Sequence, residues 1–179
     1  MKKYIDFALE VYGHNKAVGW WDEPRSVAKL TNLIISENSE ALEGDRKNLM
    51  DDKLTHHIGS HVELADTLIR TLDMIAHYGE THLAHDVTES EFLMPEFTDF
   101  NQGLAYCTSM VSAVFLCSEF EEDDTQMCRI LWGVVMCLEK MSVMMGFDLL
   151  AMAKEKQEFN KNRKDHTREH REGENGKKY

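Results

Sequence analysis

Apolar residues recur at helical spacing along most of the chain, and no segment shows the two-residue alternation of a half-buried strand. Val27, Leu30, Ile34 and Ala41 make one such stripe, and proline occurs only at positions 24 and 95, outside the periodic segments. The pattern predicts helices over 3–12, 26–43, 57–78, 101–119, 124–145 and 147–162. Gly44, Gly79 and Gly146 stand where helices of those lengths would stop, because glycine adopts the left-handed C-terminal conformation without a Cβ penalty. A loop through Gly13, Gly19 and Pro24 separates the first two helices. The fold class expected is all-α, with residues 1–163 as a single domain and 164–179 as a basic C-terminal tail.

The segment 72–79 loosely echoes 138–146, each an apolar helix ended by glycine. Two helical hairpins related in this way would pack as a four-helix core, with 80–146 as an inserted helical hairpin; equally, any two amphipathic helices share such features.

Polar residues that interrupt these stripes are the candidates for chemistry. Glu37 falls within the stripe of the second helix, and a carboxylate facing a core requires a partner. Glu37 and Glu40, and then Glu63 and Asp66, are spaced i,i+3, so each pair lies on one helix face. Thirty-two acidic residues in 179 would give about six such pairs by chance, and Glu119/Glu122 and Glu155/Glu158 read as solvated faces. On the third helix Glu63, Asp66, Arg70, Asp73 and His77 form one polar stripe. It is a solvent face unless it opposes Glu37 and Glu40, in which case four carboxylates suit a hard cation such as Mg²⁺ and the phosphates it accompanies. On the last helix Lys156, Asn160 and Arg163 fall at i, i+4 and i+7, a face able to hold a polyphosphate or simply a solvated one. Trp20 and Trp21 stand in a predicted loop, where an indole either stacks on a nucleobase or plugs the end of the bundle.

Charge and composition narrow the partners. The net charge of −12 argues against a nucleic-acid coat, and it divides unevenly, with −15 over residues 1–153 and +3 from Lys154 onward. The longest uninterrupted apolar run, Ile130 to Leu138, is nine residues, so no membrane-spanning helix is expected. Asp6 and Glu10 interrupt any apolar leader near the N-terminus, which predicts a cytoplasmic protein. Cys107, Cys117, Cys128 and Cys137 lie in an apolar stretch without a Cys-x-x-Cys pair, and are expected to be reduced core thiols.

Other metal chemistries draw on other residues. His61, the His85-Asp86 pair and Asp148 supply the residue types of an HD phosphohydrolase. His57 and His61 are spaced as a zinc pair, but Ile58 stands where a zinc protease has glutamate. A di-iron site would need Glu-x-x-His, which the sequence does not contain.

Three ordered segments, Gly19-Trp20-Trp21, then residues 33–43, then residues 63–73, together with Lys156, Phe159, Asn160, Arg163 and the terminal Gly176-Lys177-Lys178-Tyr179, resemble the all-α nucleoside triphosphate pyrophosphatases, the MazG-like group. The resemblance covers about residues 15–79 and 147–179 and implies an Mg²⁺-dependent hydrolase, with Mn²⁺ as a substitute, that cleaves a nucleoside triphosphate to the monophosphate and pyrophosphate. It implies that Glu37, Glu40, Glu63 and Asp66 are metal ligands, with a second-helix glutamate, Glu37 or Glu40, orienting the attacking water. It places Lys156, Asn160 and Arg163, with Arg70, Trp20 and Trp21, around the substrate. A homodimer is expected, or a monomer if the insert completes the bundle. Compact members lack residues 80–146, and the aromatic and basic run of dimeric dUTPases is absent, so the base stays open. A non-catalytic bundle that binds nucleotide and metal is the alternative.

Overall fold

The computed structural model describes residues 2–79, 96–120, 123–163 and 167–172, and these form an all-α bundle. Its helices are α1 (Lys2–Ala17), α2 (Val27–Lys47), α3 (Gly59–His77), α4 (Phe100–Phe120), α5 (Asp124–Met145), α6 (Leu149–Lys161) and the short α7 (Arg168–Glu172). The most deeply buried helix is α3, which packs against α1, α2, α5 and α6. Among the remaining contacts α2 lies on α4, and α4 on α5.

Side-chain caps explain several starts. Ser26 accepts a hydrogen bond from the Lys29 amide, Asp123 from Gln126 and Asp148 from Ala151, each satisfying an otherwise orphaned helical N–H. The Asp148 cap begins α6 two residues later than the periodicity predicts. Gly146, at φ 76°, ends α5 where expected, and Gly79, at φ 75°, follows α3.

Two helices run well past the glycine expected to end them. α1 runs through Gly13 to Ala17, because Tyr4, Phe7, Ala8 and Val11 bury its inner face, and such packing outweighs the roughly 1 kcal/mol that an interior glycine costs. The turn comes instead at Gly19, φ 81°. Gly44 likewise does not end α2, which continues to Lys47 and closes on Asn48 in the left-handed conformation.

Gly44 is a close-approach residue: a Cβ there would lie 2.9 Å from the Ser60 backbone nitrogen, where α3 begins. Alanine, ordinarily the better helix former, is therefore expected to destabilise at this position, by about 1–3 kcal/mol. Thermal melts of Gly44→Ala check this; a melting temperature at or above the wild-type value would contradict it.

All four cysteines are buried thiols, none of them in a disulfide. By length and composition α4 passes the test for a membrane span, as core helices also do, and about a third of its most apolar window is buried in the bundle. The run-length criterion missed it because neutral polar residues such as Thr108, Ser109 and Ser112, rather than charges, break its apolar sequence. Leu104, Cys107, Val111 and Val114 form its buried side.

Candidate metal and anion site

Glu63, Asp66 and Arg70 of the α3 polar stripe lie where α2 and α6 pack on α3, which brings Glu37 to the second acidic pair, while Asp73 and His77 farther along meet Trp21 and α1. Glu37, Glu63 and Asp66 each offer a carboxylate oxygen within 4.8 Å of the other two. Glu37, buried in the α2 stripe, meets Arg70, whose Nε and Nη2 both lie 2.6 Å from Glu37 Oε1. Beside it Asn38 spans three helices, accepting from Thr67 Oγ1 at 3.0 Å and donating to Thr108 Oγ1 at 3.1 Å. This clamp fixes the α2–α3 register on which the cluster depends.

Lys156 is fully buried, with Nζ 2.9 Å from Asp66 Oδ2. It continues the apolar stripe of Leu149, Met152 and Ala153 on α6, so its ammonium reaches the carboxylates from within the core. Burial, the largest single effect, would lower its pKa, but the carboxylates of Asp66, Glu63 and Asp51 together outweigh this and raise it. Asp66 itself is raised, by burial first, with Lys156 opposing. Glu63 is pushed up to about 8 by burial and then by the neighbouring Asp66 carboxylate. Glu40 is exposed and just outside the trio, and its carboxyl is raised by partial burial and by Glu37.

A cavity of about 250 Å³ opens beside these carboxylates. Glu37, Glu40, Glu63, Asp66 and Arg70 line it, and Lys53, Gln157, Asn160 and Arg163 add cationic and amide groups. Its remaining wall includes Trp20, Leu30, Leu33, Ile69 and Met74, with His14, Asn15 and Asp73. Acidic, basic, amide and apolar groups thus share the lining of one cavity.

Gln157 Nε2 and Asn160 Oδ1 are buried without a hydrogen-bond partner. Both residues line the cavity. Buried polar atoms of this kind are costly unless satisfied, and a donor and an acceptor side by side are what a polar ligand would satisfy.

The two tryptophans play different parts. Trp20 is buried, lines the cavity and carries the Arg25 guanidinium 3.8 Å above its ring. Trp21 already stacks on His77, 3.7 Å between ring centres, and donates Nε1–H to Asp73 Oδ1 at 3.2 Å. Burial raises the Asp73 carboxyl to about 6, against that hydrogen bond. Arg168 of α7 pairs with Asp22, which holds the start of the tail beside this turn.

Residues of the competing site types are dispersed. His61 stacks on Phe147, 4.2 Å between ring centres, and Asp148 caps α6; neither lines the cavity. His85 and Asp86 lie outside the described residues, as do Glu122 and residues 176–179. His57 pairs with Glu155 rather than with His61.

Lys53, Asn38, Gln157, His14 and Asn15 had no signal in the spacing patterns. Lys53 lies in the connection between α2 and α3. His14 and Asn15 reach the cavity only because α1 extends past Gly13.

Fold and site together define an all-α helical bundle with a buried carboxylate cluster capable of holding a divalent cation. Comparison with protein-family models, with curated proteins and with solved structures finds no match for the chain.

Proposed function

We propose that the protein is a divalent-cation-dependent nucleoside triphosphate pyrophosphohydrolase of the MazG-like kind, converting a nucleoside triphosphate to the monophosphate and pyrophosphate. One observation carries this: the carboxylate trio and a set of cationic and amide groups line the same cavity. Three carboxylate oxygens already gathered, one of them on a carboxyl raised to about 8, fit Mg²⁺ or Mn²⁺. Such an ion, when bound, would neutralise phosphate charge and lower the pKa of an attacking water.

The chain's own groups supply the rest. Glu37, Glu63 and Asp66 hold the ion, and Arg70 and Lys156 orient two of these ligands. Glu40, the most solvent-exposed of the four acids, accepts the proton of the attacking water. Lys53, Asn160 and Arg163 bind phosphate oxygens, and the apolar wall that includes Trp20 receives the base.

Contacts of α2 with α3, α3 with α5, α5 with α4 and α4 with α2 close a ring within one chain. This supports a four-helix core in which the helices of segment 80–146 supply the second pair, and hence a catalytic unit complete in a monomer. A homodimer remains the alternative.

The test is a product assay over canonical and modified nucleoside triphosphates with and without Mg²⁺. Metal-dependent pyrophosphate release is expected. Release of orthophosphate, or no turnover with either Mg²⁺ or Mn²⁺, would overturn the proposal and favour a nucleotide-binding bundle without catalysis. Gln157→Leu is expected to raise KM about 3- to 10-fold, the value of one hydrogen bond. Its melting temperature should be unchanged or higher, because an unsatisfied buried amide is removed; steady-state kinetics and a thermal scan measure both.

A further inference from the structure

A second group of ligating side chains lies outside the cavity, where the connection between α2 and α3 meets α6. His56 Nε2 stands 2.9 Å from one Glu155 carboxylate oxygen and His57 Nε2 stands 2.9 Å from the other. The two imidazole rings are 4.1 Å apart, and one ligand atom from each of the three residues lies within 4.8 Å of the others.

The two histidines are held in place by their own backbone. The His57 carbonyl accepts from the Asp51 amide at 2.9 Å, and the His57 amide donates to Leu54 at 2.8 Å. Asp51 Oδ1 accepts from the amides of Lys53 and Leu54, and Met50 and Ile58 form an antiparallel bridge that closes the connection. Glu155 projects from the middle of α6. All three ligands therefore belong to ordered elements, and little conformational entropy would be lost in bringing them to one ion.

Two imidazole nitrogens and one carboxylate oxygen form the donor set of borderline transition cations, unlike the all-oxygen set of Glu37, Glu63 and Asp66. Ligand atoms around tetrahedral zinc, bound at about 2.0–2.1 Å, are about 3.3–3.4 Å apart, so His56 Nε2 and the Glu155 oxygen it meets need to separate by only about half an ångström, with the His57 ring turning from the second carboxylate oxygen toward the same ion. With His56 66% and Glu155 43% exposed on their side chains, water has access to complete the coordination.

We propose that His56, His57 and Glu155 form a second metal site, selective for a borderline transition cation such as Zn²⁺. Bound there, the ion staples the 48–58 connection, which carries Lys53, to α6, which carries Gln157 and Asn160. It thereby braces two walls of the cavity. Each imidazole binds the ion through the Nε2 lone pair with its proton on Nδ1: a neutral ring moves its proton from Nε2 to Nδ1, and a protonated ring releases one proton to solvent.

The test is titration of the full metal-stripped chain with Zn²⁺ by calorimetry in excess Mg²⁺, with Co²⁺ absorption reporting ligand type. One zinc equivalent is expected, retained in Glu63→Gln and weakened at least about 10-fold in both His57→Ala and Glu155→Gln. Zinc is also expected to raise the melting temperature of the wild type but of neither of those two variants. Because the three side chains are at the surface, circular dichroism should be unchanged in each. Zinc affinity unaltered in both variants, zinc binding lost in Glu63→Gln, or no uptake at all would overturn the assignment.

Discussion

Glu63→Gln is expected to abolish metal-dependent turnover and, in the same molecule, to raise the stability of the metal-free fold at alkaline pH. Burial and the neighbouring Asp66 push the Glu63 carboxyl up to about 8. Between the ordinary carboxyl range near 4.5 and that value, the folded chain holds a proton that the unfolded chain has released. Stability therefore falls as pH rises through this window and is unaffected below it. Glutamine keeps the volume and never ionises, so above about pH 8 the variant avoids a penalty on the order of 2–4 kcal/mol. For a chain of this size that corresponds to a melting temperature about 5–10 °C above wild type, a gap that closes as the pH falls toward 4.5. Mg²⁺ should stabilise the wild type increasingly as the pH rises and leave the variant unmoved. Pyrophosphate release should drop by about 10³-fold or more, the loss expected when electrostatic stabilisation of a phosphoryl centre is removed. Scanning calorimetry across pH with and without Mg²⁺, beside the product assay, reads all of these. A variant no more stable than wild type, with Mg²⁺-dependent activity intact, would remove Glu63 from the site.

Lys156→Met is the complementary case, in which a charge is lost rather than neutralised. Lys156 is buried and its ammonium meets Asp66 at 2.9 Å. A side chain reaching into open solvent to hold phosphate would cost little stability when removed. Removing one partner of a buried pair instead leaves the other uncompensated, at a cost of about 3–5 kcal/mol. The expected fall in melting temperature is about 10 °C at neutral pH. Asp66, raised by burial and no longer opposed by Lys156, then holds its proton to higher pH and competes less well for a cation. Adding Asp66→Asn to Lys156→Met should recover more than half of the lost stability, since the two residues are directly coupled, without restoring metal binding. A Lys156→Met variant that melts with the wild type and shows only a raised KM would return Lys156 to the role of a phosphate ligand in the cavity.

Helix identity was legible in the sequence because it depends on local features: a 3.6-residue apolar period, a capping Ser or Asp, a glycine able to turn left-handed. α5 has the limits its pattern predicts, and α3 begins two residues late and ends one early. Lengths failed where packing overruled a local preference. Gly13 lies inside α1 because four buried residues hold that helix on α3, and Gly44 lies inside α2 because the missing Cβ makes room for the start of α3.

Among site residues, Glu37 was recognisable as a charge in an apolar stripe, and Lys156 carries the same mark one turn after Leu149, Met152 and Ala153. Both are buried for that reason. The sequence by itself determined the all-helical class, the stripes and the two acidic pairs, all consequences of spacing along one helix. Only the tertiary structure decided that the polar stripe of α3 meets α1, α2 and α6 rather than solvent, and that Lys156 and Arg70 neutralise carboxylates. It also decided that Gln157, Lys53, His14 and Asn15 join the cavity wall. Spacing along the chain fixes which side chains share a face, whereas which faces oppose one another depends on contacts between residues distant in sequence.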